Sequence, residues 1–485
     1  MKKTIALYFM CLCLTLSGFC QIERTYHWYF GDRAGIDFSS GEAVADTNGQ
    51  MSVLEGCSSM SDKQGNLLMY TDGKSVWNRN HQIMPNGTEL GMPTSTPVQS
   101  SVIVPMPGND RFYYIFHLTT HDWKKDGKQT HGFKYSVVDM EMDGGLGDLT
   151  EKNILLLEPV SEGINAVMHE NCEDVWVMVH NKGTDDFYAY LLTVYGIEQA
   201  IITTIGNFID TPYGVYQIKF SPDGTKMAGS AFWDYENTMI QDTLHLFDFD
   251  RNTGIPSNKI LISDTTIIAF GFSPDNKKLY VHQGEEDAWT HQYDISSWDQ
   301  TTILSTKTLL YYDEYYSHGD FQITNKGEIV AVKPFQPFVD IIYEPNKAGL
   351  ECNFVDSALY LNGRCGLVSL PEFVKSYFDY GPNSCWITDT IPKEQGSIYM
   401  PNIFSPNGDG QNDVLFVRGN DIEQLFFTVY NRWGEKLFET NDINCGWDGT
   451  YKGKHTETGV YVFFIEATFK SGKQITKTGN VTLVR

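Results

Sequence analysis

Two stretches of this chain repeat one another. Ile218-Lys219-Phe220-Ser221-Pro222-Asp223-Gly224-Thr225-Lys226-Met227 aligns with Phe270-Gly271-Phe272-Ser273-Pro274-Asp275-Asn276-Lys277-Lys278-Leu279. Each reads as an apolar strand, a tight turn and a second strand. Proline presets φ at the first corner of such a turn, and Gly or Asn accepts the left-handed position that follows. Weaker copies lie at 60–70, 102–115, 166–177 and 321–327. From Glu173 to Gly224, Asn276 and Gly327 the step stays at about fifty residues, the length of one four-stranded propeller blade. That period is too long for a solenoid rung and too short for a sandwich domain. The expected fold is all-β: an N-terminal β-propeller of seven blades, six of them visible between residues 50 and 345. The seventh is expected from residues 350–370 pairing with Tyr26-His27-Trp28-Tyr29-Phe30, because a closed ring leaves no long exposed edge.

The chain has 485 residues, more than one ordinary domain needs. Aromatics at 14 %, 43 glycines and only 20 % charged residues suit short strands and turns better than long helices. The repeat stops after Leu370-Pro371-Glu372-Phe373-Val374, and residues 378–397 read as a linker. From 398 to 485 a new rhythm of short alternating strands begins, as in a small β-sandwich. The expected plan is a signal segment at 1–20, a propeller at 21–377, the linker, and a second domain at 398–485.

Lys2 and Lys3 precede an apolar run at 5–16, and Ser17, Gly18 and Cys20 supply small side chains for cleavage, the pattern of a secretory signal. No later stretch approaches the ~18 apolar residues of a spanning helix. The formal charge of −25 disfavours a nucleic-acid partner. An exported chain can form disulfides. Cys352 with Cys365 is the most local pair, and Cys385 with Cys445 would tie the linker to the last domain. Cys57 and Cys172 lie in apolar, strand-like runs and read as buried thiols.

Pro401-Asn402-Ile403-Phe404-Ser405-Pro406-Asn407-Gly408-Asp409-Gly410-Gln411-Asn412-Asp413 opens a series continued by Tyr430-Asn431-Arg432-Trp433-Gly434, Gly446-Trp447-Asp448-Gly449, Thr458-Gly459-Val460-Tyr461 and the last seven residues. This series resembles the gliding-motility-associated C-terminal domain, a type B sorting signal of the type IX secretion system of Bacteroidetes. The resemblance implies a small Ig-like β-sandwich, the type IX machinery as partner, and export through the periplasm to the medium or the outer surface. Upstream, Trp28-Tyr29-Phe30-Gly31, Leu54-Glu55-Gly56-Cys57 and Leu370-Pro371-Glu372-Phe373 resemble propeller-like cargo of that route, which implies no activity.

Two sites stand out. Asn407, Asp409, Asn412 and Asp413 place oxygen side chains around glycines, which suits calcium, although Arg418 stands where an EF-hand needs its bidentate Glu. An Asx-rich turn is the alternative. Tyr311, Tyr312, Tyr315 and Tyr316 could line a face that binds a glycan or a protein. His169-Glu170 lacks the second His of a zinc helix, and no nucleophile elbow or phosphate loop occurs. A secreted binding protein and a propeller hydrolase or lyase acting on polysaccharide or lactone both remain open. The arrangement of carboxylates and histidines around the ring axis discriminates between them.

Overall fold

The computed structural model describes residues 21–91, 97–119, 132–207, 215–232, 243–263, 265, 267–284, 288–313, 318–381, 384–385, 397–401, 403–408, 413–420, 422–469 and 474–485. The expected signal segment lies outside them. The chain divides into two compact units, one ending at Thr388 and one spanning Asp389–Arg485.

In the first unit, up-and-down sheets follow one another along the chain, most of them four-stranded. Their first strands are His27–Phe30, Cys57–Ser61, Ser101–Pro105, Ile164–Met168, Val215–Phe220, Ile267–Phe272 and Asp320–Ile323. Middle strands such as Val175–His180 are buried along their whole length, because each sheet packs neighbours on both faces. Such strands read as continuous apolar runs rather than alternating ones. This radial stack of short sheets is a β-propeller.

The Ser-Pro-Asp turns also join neighbours. Asp223 accepts from the Ser221 hydroxyl at 2.6 Å, and Asp275 from that of Ser273 at 2.6 Å. The amide of Asp223 donates to Asn276 Oδ1 of the next sheet at 3.1 Å, and that of Asp275 to Asn346 Oδ1 at 3.1 Å. The repeated motif is therefore both a turn and a link between sheets.

The seam differs from the expected one. His27–Phe30 pairs with Ala34–Asp37 in a sheet of its own, and Phe354–Tyr360 pairs with Phe338–Ile342. One isolated bridge, Asp32 to Cys365, joins the two regions, and their side chains share a core that includes Trp28, Phe30, Val330 and Val332. Packing closes this seam in place of a shared strand.

Residues 368–379 then run among the first strands. Pro371–Glu372 lies parallel to Cys57–Ser58, and Val374 bridges Ala166. The Leu370 amide donates to Asp320 Oδ2 at 3.1 Å, and the Met168 amide to Ser376 Oγ at 3.2 Å. Every residue from 371 to 379 is buried. A segment that touches the first strands of several sheets occupies the axis. Backbones approach closely here: a Cβ on Gly319 would sit 2.0 Å from Val368 O, and one on Gly163 1.7 Å from Tyr216 O.

Where the axial segment leaves the ring, Cys385 is disulfide-bonded to Cys172. Cys352, Cys365 and Cys445 are free thiols, so neither expected pairing forms. Cys352 is buried beside Tyr280, whereas Cys365 is held at the seam by its bridge to Asp32. Cys57 is a buried thiol, as its apolar run suggests. Cys172 instead sits on the turn between Ile164–Met168 and Val175–His180, with φ of 61°.

The second unit is built on a five-stranded sheet in the order Ile403–Phe404, Gln474–Leu483, Gly459–Phe469, Ile422–Tyr430 and Lys436–Thr440. Alternation along Gly459–Phe469 sends Tyr461, Phe463, Ile465 and Ala467 into a core with Trp447, Phe427 and Leu483.

The Cys172–Cys385 bond closes a loop of 213 residues. Loss of a native disulfide from an exported domain costs about 2–5 kcal/mol. Cys172→Ser should lower the melting temperature of the oxidised protein, and reductant should lower that of the wild type but not of the variant. Equal melting of all four samples would contradict the tie.

Candidate functional site

Among the described residues of the first unit, four polar features could carry chemistry: the axis, a histidine relay, a cleft on the turn face and the acid Glu162.

At the axis, Lys219, Asp320, Glu372 and Lys375 are all buried. Lys375 pairs with Glu372 at 2.8 Å, and Lys219 pairs with Asp320 and donates to Phe321 O at 2.8 Å. Gln99 and Asn165 donate to the two oxygens of Glu372 at 2.9 and 3.0 Å, and Gln322 accepts from Lys375 at 2.8 Å. Burial pushes both carboxyls up. In Glu372 the ammoniums of Lys375 and Lys219 outweigh burial and hold it low, while Asp320 stays raised. Burial, with Lys219 adding to it, lowers Lys375 against the pull of Glu372. The four charges cancel in pairs, and the amides occupy the oxygens. Convergent carboxylates are present at the axis, but the chain's own groups satisfy them.

The second centre lies between the last two sheets. His318 Nε2 meets Asp340 at 2.7 Å, and Thr290 Oγ1 lies 3.2 Å from His318 Nδ1 and 2.9 Å from His282 Nδ1. The His318 amide donates to His282 Nε2 at 2.9 Å, which places the proton of His282 on Nδ1. The chain Asp–His–Thr has the connectivity of a hydrolase triad. All three members are fully buried, so no substrate reaches the hydroxyl, and the relay cements two sheets.

The third centre is open. A cleft of about 800 Å³ lies on the turn face beside the exit of the axial segment. The Ser-Pro-Asp turns at 223 and 275 form its walls together with Asp250, Arg251, Tyr343 and residues 379–381. Its acids are oriented by their own turns: Asp223 accepts from the Thr225 amide at 3.0 Å, Asp250 from that of Asn252 at 2.9 Å, and Asp379 from that of Gly381 at 2.8 Å. Burial, reinforced by Asp223, raises Asp379. Arg251 donates to Asp223 O at 2.8 Å, and its buried Nε has no acceptor. Six acidic residues face three cations across the cleft. Tyr343 and Tyr380 stand exposed at its rim.

On the opposite face, where the axial segment enters, burial and the neighbouring Glu55 raise Glu162 to about 8.

Strand alternation splits the expected tyrosine cluster. Tyr311 donates to Asp313 at 3.0 Å and accepts from Lys333 at 2.9 Å, while Tyr312 faces solvent beside Trp289, its ring 5.8 Å away. Tyr315 and Tyr316 lie outside the described residues, as do Asp409 and Asn412. Asp413 Oδ1 accepts from the Gly408 amide at 2.7 Å, a bond that spans the loop. The cleft combines turns some fifty residues apart with the segment after 371, so no local motif announces it. The repeated Asp of its turns was its one sequence signal.

Residues 398–483 match the family described as the CHU_C type IX secretion signal domain. The C-terminal unit therefore carries the address for export by that system, to the medium or the outer-membrane surface. A search of curated proteins finds no match to the chain. Among solved structures, a putative 6-phosphogluconolactonase from Bacteroides uniformis is 13 % identical, covers 72 % of this chain and 99 % of its own, and has a TM-score of 0.44. One from Bacteroides fragilis is also 13 % identical, with coverages of 72 % and 97 % and a TM-score of 0.43. The β-propeller domain of Myceliophteria thermophila Cps50 (Swd1) is 8 % identical, with coverages of 64 % and 94 % and a TM-score of 0.34. No helix among the described residues is long and apolar enough to cross a membrane.

Buried histidines set an acid limit. Burial lowers His117 and His180 to about 3, and His245 and His291 to about 4. Below about 6.5 the unfolded chain takes up protons that the folded one refuses, so these groups withdraw stability as pH falls from about 6.5 toward 4. Glu162 acts in the opposite sense between about 8 and 4.5, as do the raised carboxyls of Asp320 and Asp379, while His282, lowered by the same burial, sides with the four histidines and tips the balance. The melting temperature should fall between pH 6.5 and 4.5, and His117→Gln with His180→Gln should flatten the slope. A melting temperature that rises over that interval would contradict this balance.

Proposed function

We propose that this is an exported binding protein: a closed ring of seven blades that presents its turn-face cleft to a glycan, addressed for export by an Ig-like C-terminal sandwich after removal of residues 1–20. The observation that carries this reading is the cleft itself, an open site of about 800 Å³ beside an axis filled by the chain's own residues. Pockets of this size with fixed polar groups are the usual place for a small ligand. Acids already oriented by backbone amides act as preorganised acceptors for sugar hydroxyls, and the rings of Tyr343 and Tyr380 offer faces to sugar C–H groups. The surplus of acid repels polyanions, so a neutral oligosaccharide suits the cleft better than a uronate or sulfated chain.

One observation favours a hydrolase instead. A carboxyl held protonated to about pH 8, as Glu162 is, suits a general acid, and Glu55 beside it supplies a second carboxylate.

A glycan array probed with the full chain separates the two. Binding of neutral oligosaccharides, weakened about tenfold by Tyr380→Ala or Tyr343→Ala, supports the cleft. Turnover of a bound glycan that Glu162→Gln abolishes would replace the binding reading with the enzymatic one. Binding unchanged in both tyrosine variants would remove the cleft from the account.

A further inference from the structure

We propose that Trp433 and the cations beside it form the surface by which a protein of the type IX export machinery reads the C-terminal unit. The proposal rests on the sorting role of that unit.

Trp433 is 85 % exposed, more than any other large apolar side chain among the described residues. Its turn joins Ile422–Tyr430 to Lys436–Thr440 and is bound on every side. Asn431 Oδ1 accepts the amides of Trp433 and Glu435 at 3.0 Å each, and Asn431 Nδ2 donates to Glu435 Oε2 at 3.1 Å. The Tyr451 hydroxyl holds the other oxygen of Glu435 at 3.0 Å. Gly434, at φ of 81°, takes the left-handed corner that such a turn requires. The domain thus spends a network of side-chain bonds on fixing a loop whose largest side chain contributes nothing to its core. The other tryptophan of the unit, Trp447, supplies the core and donates to Thr450 O at 2.9 Å. A large aromatic held rigidly in water costs little entropy when a partner covers it, which is the property of an interface anchor.

The surroundings indicate the kind of partner. A cleft of about 470 Å³ opens beside the indole, lined by Arg432, Lys452 and Lys454 with Tyr451, and by Glu435 and Glu457, of which Glu435 is already held by Tyr451 and Asn431. The Lys452 ammonium lies 4.6 Å from the Tyr451 ring centre, so ring and charge face outward together. Residues 398–485 contain ten acidic and nine basic residues, so nearly all the acidic surplus of the chain lies upstream of them. An almost neutral unit with cations gathered around an exposed indole fits a protein pocket that is apolar at its centre and acidic at its rim. Because the family match makes this unit a signal, that pocket belongs to the machinery that reads it.

The test compares full chains in the exporting bacterium: wild type, Trp433→Ala, Trp433→Phe, the double reversal Arg432→Glu with Lys452→Glu, and a chain lacking 398–485. Trp433→Ala and the double reversal should each lower the exported fraction at least tenfold and accumulate in the periplasm. The purified variants should melt with the wild type, and Trp433→Phe should restore most of the export. A photo-reactive side chain at 433 should crosslink to a component of the export machinery identified by mass. Wild-type export of Trp433→Ala and of the double reversal, with the truncated chain still trapped, would overturn the proposal and leave the sorting role intact. Export of the truncated chain would overturn both. Crosslinks to lipid alone would show that a membrane, not a protein, covers the indole, and would overturn the proposal.

Discussion

The organisation of the first unit depends on four buried charges. Moving an unpaired ammonium or carboxylate from water into an interior costs several kcal/mol, so Lys219, Asp320, Glu372 and Lys375 are tolerable only together. Two of them, Glu372 and Lys375, belong to the axial segment, and the other two belong to first strands of separate sheets. With the segment absent, Lys219 and Asp320 would keep their own pair beside an open channel, and Gln99, Asn165 and Gln322 would lose their bonds to Glu372 and Lys375. With the segment present, all four charges are paired and the carboxamide oxygen of Gln322 is engaged by Lys375. The chain therefore threads its own ring for an electrostatic reason as much as for the burial of Phe373, Val374, Tyr377 and Phe378.

Filling the axis changes where function can lie. A propeller with an open channel can converge side chains from all its blades on one ligand. Here that convergence is used up on the chain itself, and the relay of Asp340, His318 and Thr290 is sealed between sheets. The turn-face cleft where the segment leaves stays open at the edge of the axis. The Cys172–Cys385 bond fixes the exit and so shapes the cleft wall at residues 379–381.

Features governed by local physics were legible in the sequence. The Ser-Pro-Asp turns announced the repeat because Pro and Gly or Asn restrict φ at known positions, and Tyr430-Asn431-Arg432-Trp433-Gly434 with its companions announced the sorting unit. Features that depend on distant partners were not. Glu372 bonds to Gln99 and Asn165, hundreds of residues upstream, and nothing in Leu370-Pro371-Glu372-Phe373 says so. A Glu and a Lys three apart within an otherwise apolar run were the available hint. The apolar run around Cys172 reads as a strand, although Asn171, Glu173 and Asp174 beside it are turn residues. Tyr311 and Tyr312 looked like one cluster, and the pleat sends them to different environments.

Amide hydrogen exchange of the full chain tests the central claim most directly. If residues 371–379 fill the axis, their amides should exchange as slowly as those of the central strands Val175–His180 and Lys278–Gln283, opening only with the whole ring. Exchange of 371–379 at the rate of an exposed turn such as 39–42, while those strands stay protected, would show that the axis is open and would contradict the account.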